Sequence, residues 1–561
     1  MVYQVYPRSF ADSDDDGIGD LGGVIGKLDY LAALGIDVLW LSPFFPSPQD
    51  DNGYDISDYQ DVDPTFGTLA DLDELLRRAH DHGIRVILDL VVNHTSDEHP
   101  WFVESRSSTT SPKRDWYWWR PARDGGPPNN WQSAFSGSAW ELDEASGEYF
   151  LHLFSRKQPD LNWENPEVRQ AIHSMMNWWL DRGVDGFRMD VINLISKVPG
   201  LPDGTLIAGG PLGDPWDGVV CGPRIHEFLQ EMHRSVFAGR ASTLLNVGEM
   251  PGVTVEEAVL FTDPARAEVD MVFQFEHVTM GPDKWGGTPA SISALKASLG
   301  RWQVGLAEIG WNSLYLSNHD QPRPVSRFGS DDPRWRVASA CALATVVHLH
   351  RGTPYVYQGD EIGMTNAPFG SIEDYRDIES LNHFAHAVGV GQAPDDVLEI
   401  LRGVSRDNAR TPMQWSTDPH AGFTTGSPWL GVNPNYVEVN AEAAMADPDS
   451  VWHHYRRLIA LRHSEPVVAL GDFTMLLPDH PTVYAFTRRL DDVVLTVVAN
   501  LSSSPVDLDL TVGGEPLFAT GGPGTDPAHL EPWEARVHRA GQGSGAARPT
   551  SSVTGVLAGS A

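Results

Sequence analysis

Short apolar runs alternate with helix-spaced amphipathic stretches along most of this 561-residue chain. That rhythm restricts the fold more than any other feature. The runs are residues 3–6, 36–41, 85–92, 185–189, 244–247, 269–275, 313–317 and 354–357. A nearly all-apolar run such as 85–92 suits a strand covered on both faces, as in a parallel sheet flanked by helices. Helical spacing fills most of the gaps. One helix is predicted over 21–34 and stops at Gly35; another is capped by Thr68 and carries Leu69, Leu72, Leu76 and Ala79 on one face; others cover 166–182 and 338–349. Eight strands separated by helices predict an α/β fold, a (β/α)8 TIM barrel rather than an open sheet.

The rhythm breaks twice. From about Ser96 to Asn165 it gives way to an aromatic run (Asp115-Trp116-Tyr117-Trp118-Trp119), a Gly/Pro/Asn-rich stretch and short strands. This is too long for an ordinary loop and predicts a subdomain inserted after strand three. A second long segment runs from Gly359 to about Tyr436. Beyond a helix over 451–462 the pattern becomes alternating strands at 482–487, 493–498, 506–510 and 535–538, a small antiparallel β domain. The expected division is a barrel from 1–95 and 166–475, an insert over 96–165, a C-terminal β-sandwich over 476–540, and a Gly/Ser/Ala/Thr-rich disordered tail over 541–561.

Composition narrows the function. Lys and Arg number 40 against 76 Asp and Glu, a formal charge of −36, which repels nucleic acid and anionic membrane and disfavours phosphorylated substrates. Two cysteines, Cys221 and Cys341, make neither a disulfide framework nor a Cys-based zinc site. No secretory signal and no apolar run of membrane-spanning length is present, so a soluble cytoplasmic protein is expected, monomeric or dimeric. Met1 stands almost inside the first strand, which leaves room for a start a few residues upstream.

In a barrel the chemistry stands at the carboxyl ends of the strands. Strand three ends in Asn93-His94, strand four in Arg188 and Asp190, strand five in Glu249, and strand seven runs into Asn318-His319-Asp320. Alternate residues of a strand share a face, so Arg188 and Asp190 point the same way and the Arg is expected to aim the Asp and hold it ionised. Any one of these groups alone reads as a helix cap or turn residue; their joint placement does not. A metal centre of His94, His319, Asp190 and Asp320 is one reading, which Arg188 beside Asp190 opposes. Glycoside cleavage is the other: an ionised nucleophile, Asp190, and a protonated acid, Glu249, which follows a mostly apolar strand.

The segments Asp89-Leu90-Val91-Val92-Asn93-His94, Gly186-Phe187-Arg188-Met189-Asp190, Gly248-Glu249 and Asn318-His319-Asp320 together resemble the four short regions of the α-amylase family of glycoside hydrolases. Gln158-Pro159-Asp160-Leu161-Asn162, the segment from Asp51 to Tyr59, and Arg410-Thr411-Pro412-Met413-Gln414-Trp415 resemble its oligo-1,6-glucosidase/α-glucosidase subfamily. The resemblance implies that Asp190 attacks the anomeric carbon, Glu249 protonates the leaving oxygen and later activates water, and Asp320 binds hydroxyls of the distorted sugar. It implies that Asp51, Tyr54, His94, Arg188, His319 and Arg410 hold the terminal glucose, and that Phe135 and Phe154 of the insert wall a dead-end pocket. Exo-cleavage of short oligosaccharides would follow.

Residues Asp12 to Asp20 place oxygen ligands at every second position with Gly17 sixth, matching the first half of a Ca2+ loop, although Gly23 stands where an EF-hand carries its Glu. The subfamily has a similar loop, so a structural Ca2+ on Asp12, Asp14, Asp16, the Ile18 carbonyl and Asp20 is expected; the alternative is an acidic solvated loop. Val191, next to Asp190, resembles the residue of enzymes preferring α-1,6 bonds, where Thr or Ala accompanies α-1,4 preference. Competing readings are an α-1,4- or sucrose-active transglycosylating α-glucosidase, a trehalose-6-phosphate hydrolase with a basic phosphate pocket, and a sucrose isomerase. The isomerases carry acidic residues in the loop corresponding to Arg323-Pro324-Val325-Ser326-Arg327-Phe328, and none is found here. A non-catalytic, transporter-associated sugar-binding protein of this fold is a further class; such proteins typically lose the carboxylates retained here.

Overall fold

The computed structural model describes residues 1–207, 210–241, 243–280, 284–286, 291–510, 512–520, 526 and 528–541; the predicted tail over 541–561 therefore lies, but for its first residue, outside the described residues. Eight parallel strands form one sheet: β1 (Val2–Val5), β2 (Val38–Leu41), β3 (Arg85–Val91), β4 (Gly186–Asp190), β5 (Leu245–Met250), β6 (Met271–Gln274), β7 (Ser313–Leu314) and β8 (Thr353–Tyr357). Their order is β6-β5-β4-β3-β2-β1-β8-β7. A parallel bridge between Val272 and Asn312 joins the two ends and closes the barrel.

Register explains what faces inward. Val38 pairs with Arg85, Asp89 with Arg188, Val91 with Asp190, and Arg188 with Val247. Because side chains alternate, Val2, Val38, Ile87, Val247 and Met271 fill the barrel with Trp40, Phe273 and Tyr355. The layer above them is polar: Gln4, Asp89 and Arg188 are all buried. Gly186 opens β4 at φ 145°, and a Cβ there would come within 1.8 Å of the Leu245 carbonyl oxygen. Only glycine lets β4 and β5 approach this closely at their amino ends.

Covering helices follow local rules. Leu69–Asp81 begins in a capping box of Thr68 and Asp71, and Pro166–Arg182 is capped by Asn165 and stopped by left-handed Gly183. The single helix expected over 21–34 is instead two, Leu21–Gly26 and Leu28–Leu34, divided at Lys27; three glycines in the first piece weaken its continuity. The seventh strand is two residues long rather than five.

The insert after β3 holds a three-stranded antiparallel sheet, with Glu148–Leu151 between Trp119–Pro121 and Trp140–Asp143. It is stitched to the barrel by a His94–Asp160 bridge, by a Leu161 N–H donating to the Asn93 carbonyl at 2.9 Å, and by Lys197 against Asp160 at 2.8 Å, both fully buried. The C-terminal unit is a five-stranded antiparallel sheet with a separate two-stranded ribbon. Its first strand, Asp472–Leu476, falls almost wholly among residues expected to belong to the barrel.

Candidate active site

Asp190, Glu249 and Asp320 line one cavity of about 1020 Å³ at the carboxyl ends of the strands, with Asp51, Tyr54, His94, Phe135, Phe154 and Val191. Arg188, His319 and Arg410 stand behind this lining, all three buried. Every sequence-predicted pocket residue is therefore at the site or directly beneath it.

Arg188 is the hub. One guanidinium nitrogen, Nη1, donates to Asp89 Oδ1 at 2.5 Å and to Asp190 Oδ1 at 2.8 Å; the other, Nη2, contacts Glu249. Three buried carboxyls thus share one cation. Burial pushes both Asp190 and Glu249 upward, Asp190 well above the usual carboxylate range, and Arg188 only partly offsets it. The expectation that Arg188 alone keeps Asp190 ionised is corrected: Arg188 aims the carboxylate, but the dry site and the neighbouring Glu249 and Asp89 oppose a second and third charge. Two carboxyls side by side in a dry site disfavour the doubly ionised pair.

Asp89 was quoted within a motif but not singled out. Its Oδ2 accepts from Trp40 Nε1 at 2.9 Å and from the Tyr54 hydroxyl at 3.1 Å, so it links the charge hub to the sugar platform. Tyr54 in turn stacks on His319, ring centroids 5.0 Å apart at 3°. Gln4 Nε2 lies 2.8 Å from His319 Nδ1; since the amide nitrogen can only donate, Nδ1 accepts and Nε2 carries the proton, 3.2 Å from Asp320. Burial lowers His319 to about 3 and His94 to about 4, so both rings are neutral near pH 7.

Asp320 is the opposite of Asp190. Burial would raise it, yet His319, Arg406 and Arg410 outweigh that and hold it far below the usual carboxylate range. Arg406 was missed by sequence reasoning, which chose Arg410. Arg410 Nη2 does contact Asp320 at 2.8 Å, but it is the Arg406 guanidinium that lines the cavity. Arg406 reaches Asp320 at 3.2 Å, Asp51 at 3.1 Å and Asp377 at 2.5 Å, and lies over the Phe135 ring at 5.0 Å. Phe135 packs on Phe154 and Phe154 on His94, so the insert closes the wall by an aromatic chain. The available signal was position: Arg406 is one helical turn before Arg410. Asp51, held by Arg406 and by Gln158 Nε2 at 3.1 Å, is pushed up to about 7 by burial.

Val191 is not an ordinary strand residue. It adopts φ 35°, ψ 40°, a left-handed conformation that is costly for a β-branched side chain. Its N–H donates to Glu249 Oε2 at 3.1 Å, while its side chain packs into the cluster of the insert with Trp118, Trp131 and Leu153. Backbone strain is thus spent where it fixes Glu249 and joins the insert to the barrel.

The histidine metal reading fails on geometry: among the described residues, the one set of acidic, His or Cys side chains whose ligand atoms converge is Asp12, Asp14 and Asp20, within 4.8 Å of one another. Asp16 lies outside that trio, its Oδ1 accepting the Ile18 N–H at 2.7 Å. Asp12 accepts from the backbone of Asp14, Asp15 and Gly17 and from the Thr424 hydroxyl, so the loop is held in shape. Three carboxylates are a donor set suited to a hard cation. Most tryptophans are core rather than sugar platforms, with Trp40, Trp131, Trp163, Trp179 and Trp302 fully buried.

Residues 4–471 match the sequence description of the α-amylase catalytic domain, and residues 473–526 that of the maltogenic amylase C-terminal domain. An oligo-1,6-glucosidase of Parageobacillus thermoglucosidasius is 54% identical over 96% of this chain and 98% of its own length. The trehalose-6-phosphate hydrolase of Bacillus licheniformis superposes with a TM-score of 0.92 at 43% identity, covering 96% of this chain and 99% of that one. The isomaltulose synthase of Klebsiella sp. LX3 does so with 0.92 at 42% identity, covering 96% and 98%.

Proposed function

The chain belongs to the α-amylase family of glycoside hydrolases, and from that premise we propose that it is a retaining, exo-acting α-glucosidase that releases glucose from short α-1,6-linked oligosaccharides such as isomaltose and panose. The observation that carries the reading is the opposite electrostatic setting of three carboxyls in one pocket. Asp190 and Glu249 share the single Arg188 guanidinium in a dry site that opposes their both being charged, whereas Asp320 is held ionised by two arginines.

Mechanistically, Asp190 Oδ attacks the anomeric carbon while Glu249, held by the Val191 N–H, gives its proton to the leaving oxygen. The bond from C1 to the aglycone oxygen breaks as the bond from C1 to Asp190 forms. Glu249, now ionised, takes a proton from water, and the resulting nucleophile displaces Asp190 from C1 and restores the starting state. Asp320, ionised and fixed, accepts from sugar hydroxyls and strengthens its bonds as positive charge develops on the ring. Asp51, Arg406 and the neutral His94 and His319 complete the glucose site, and Phe135 and Phe154 close its end.

Two observations favour this over its near alternatives. The cations lining the cavity among the described residues, Arg301 and Arg406, are each paired by carboxylates, which leaves no spare charge for a sugar phosphate. Arg323 is turned into the fold, donating to the carbonyls of Gln358, Asn408 and Ala409, and Arg327 to that of Val278, so neither arms an isomerase-type loop. The acidic loop at Asp12, Asp14 and Asp20 is proposed to hold a structural Ca2+, remote from the reaction, and the protein to act in the cytoplasm. A panel of isomaltose, panose, maltose, sucrose, trehalose and trehalose-6-phosphate tests the substrate; maltose turnover much faster than isomaltose would refute the linkage.

A further inference from the structure

His319 and Asp320 reach the pocket on a segment beyond the paired part of their strand. β7 pairs with β8 at Ser313–Thr353 and Leu314–Pro354, and Asp320 lies well past that register. A working carboxylate has to be held to within about 0.5 Å of its productive place. Side chains therefore supply what the ladder does not.

Three side-chain anchors hold the segment ahead of Asp320 among the described residues. Tyr315 is tied to the end of β6: its hydroxyl donates to the Gln274 carbonyl at 2.7 Å, and its own carbonyl lies 2.7 Å from His277 Nε2. His319 is tied to Gln4 by its ring and to Arg410 Nε by its carbonyl, at 3.1 Å. Between these two, Ser317 is tied to Asp360, which opens the short turn after β8. The Ser317 hydroxyl lies 2.9 Å from Oδ1 and 2.8 Å from Oδ2, so both carboxyl oxygens straddle one O–H.

Asp360 is buried and lines no part of the glucose pocket. Leu316, Val325, Leu343 and Val347 line the small cavity at its side, where an apolar residue would fill space without the desolvation cost of a carboxyl. Burial pushes the carboxyl up to about 7, against the pull of Arg323. Near neutral pH it is present as both acid and carboxylate, and each form offers Ser317 an acceptor.

We propose that Asp360 is a positioning residue: through the Ser317 hydroxyl it fixes the segment that presents His319 and Asp320, and so sets how well Asp320 grips the sugar in the transition state. Asp360 itself touches neither the substrate nor the reacting atoms. The inference rests on the glucosidase reading of the pocket.

Asp360→Ala, Ser317→Ala, the double variant and Asp360→Asn are assayed as full-length proteins on whichever α-glucoside of the panel the parent cleaves fastest. Folding is followed by near-ultraviolet circular dichroism and melting. Asp320 acts through bonds that strengthen in the transition state, so its displacement lowers kcat about tenfold and leaves KM within about twofold. Each alanine variant shows that loss, and the double variant is no worse than either alone, because both remove one interaction. Asp360→Asn keeps an acceptor for Ser317 and returns kcat to within about threefold of the parent. A folded Ser317→Ala with the parent kcat overturns the proposal. So do losses that multiply in the double variant, an Asn variant as poor as the alanine, and a loss confined to KM or to the melting temperature. Should Asp360→Ala not fold, Ser317→Ala and Asp360→Asn decide the matter by the same criteria. A parent protein inert on every α-glucoside of the panel refutes the glucosidase reading itself; an active parent beside unaffected variants removes only the role of Asp360.

Discussion

Replacing Asp89 with Asn tests whether the charge hub, rather than any single carboxyl, sets the working pH. Asp89 does not face the sugar. It touches Arg188 at 2.5 Å, and Asp190 touches the same nitrogen at 2.8 Å, so the two carboxyls lie no more than about 5 Å apart. At an effective dielectric of about 20, one charge at that distance is worth about 3 kcal/mol, which Arg188 between them partly screens. The negative charge of Asp89 raises both Asp190 and Glu249. Removing it lowers both, so the acid limb of kcat/KM, where the nucleophile ionises, and the alkaline limb, where the acid loses its proton, move together to lower pH by about one pH unit. An amide has one accepting oxygen where the carboxylate has two: if that oxygen keeps Trp40 and Tyr54, the NH2 faces the Arg188 guanidinium, donor against donor, and the lost pairing costs about 1–3 kcal/mol, or roughly ten- to a hundredfold in rate. The assay is a pH series of kcat/KM on isomaltose or an aryl α-glucoside, with folding checked by circular dichroism. A bell that keeps both limbs while activity falls would refute the shared-charge argument and leave Asp89 a packing residue.

Asp190→Ala abolishes turnover by at least about 10⁴-fold with an unchanged melting profile; residual activity near the parent level would end the proposed mechanism. Arg406→Lys cannot bridge Asp51, Asp320 and Asp377 at once, and lowers kcat/KM by about ten- to a hundredfold, mostly through KM; a neutral outcome would return the role to Arg410. Asp51, pushed up to about 7 by burial, contributes stability that is fully present below its unfolded value near 3.8 and lost as pH rises through 7. Asp51→Asn mimics the protonated form at every pH, so its melting-temperature advantage over the parent grows from pH 5 to pH 8 while its KM for isomaltose rises; an advantage independent of pH would refute that sign. Chelation of Ca2+ lowers the melting temperature by a few °C, since saturation at 100 times Kd stabilises by about 2.7 kcal/mol, and Asp14→Asn removes the effect; an unchanged transition on chelation leaves the loop merely acidic.

The barrel was legible because its signals are local. Buried parallel strands read as continuous apolar runs, and Thr68, Asn165, Gly35 and Gly183 mark helix ends at the positions where they cap. The carboxyls of the pocket were legible for a related reason: strand ends of a barrel converge whatever the sequence between them. What stayed hidden depends on the long segment after β8, where no period reports on position. Arg406 and Asp377 lie there, and the tie of Arg406 to Asp51 spans 355 residues, so no spacing rule places them. The C-terminal strands Glu515–Ala519 and His529–Leu530 were missed for want of alternation, three of the five residues of the first being exposed in a row.

Val191 shows where local reasoning and function part. Pattern alone makes it one more apolar residue after a strand, with a branched wall as its contribution to linkage preference. Its left-handed backbone cannot be inferred from a β-branched residue, which disfavours that region more than most. The conformation persists because three contacts over-determine it: the strand hydrogen bonds of Asp190 before it, the N–H to Glu249, and a side chain anchored in the cluster of the insert. The residue proposed to shape linkage preference is therefore also the one whose N–H holds Glu249. Val191→Thr keeps the β-branch but puts a hydroxyl into an apolar cluster, so it should move Glu249 as well as reshape the wall. A change in the α-1,4 to α-1,6 ratio accompanied by a displaced alkaline limb would support the coupling. A changed ratio with both limbs unmoved would mean that Val191 acts by wall shape alone.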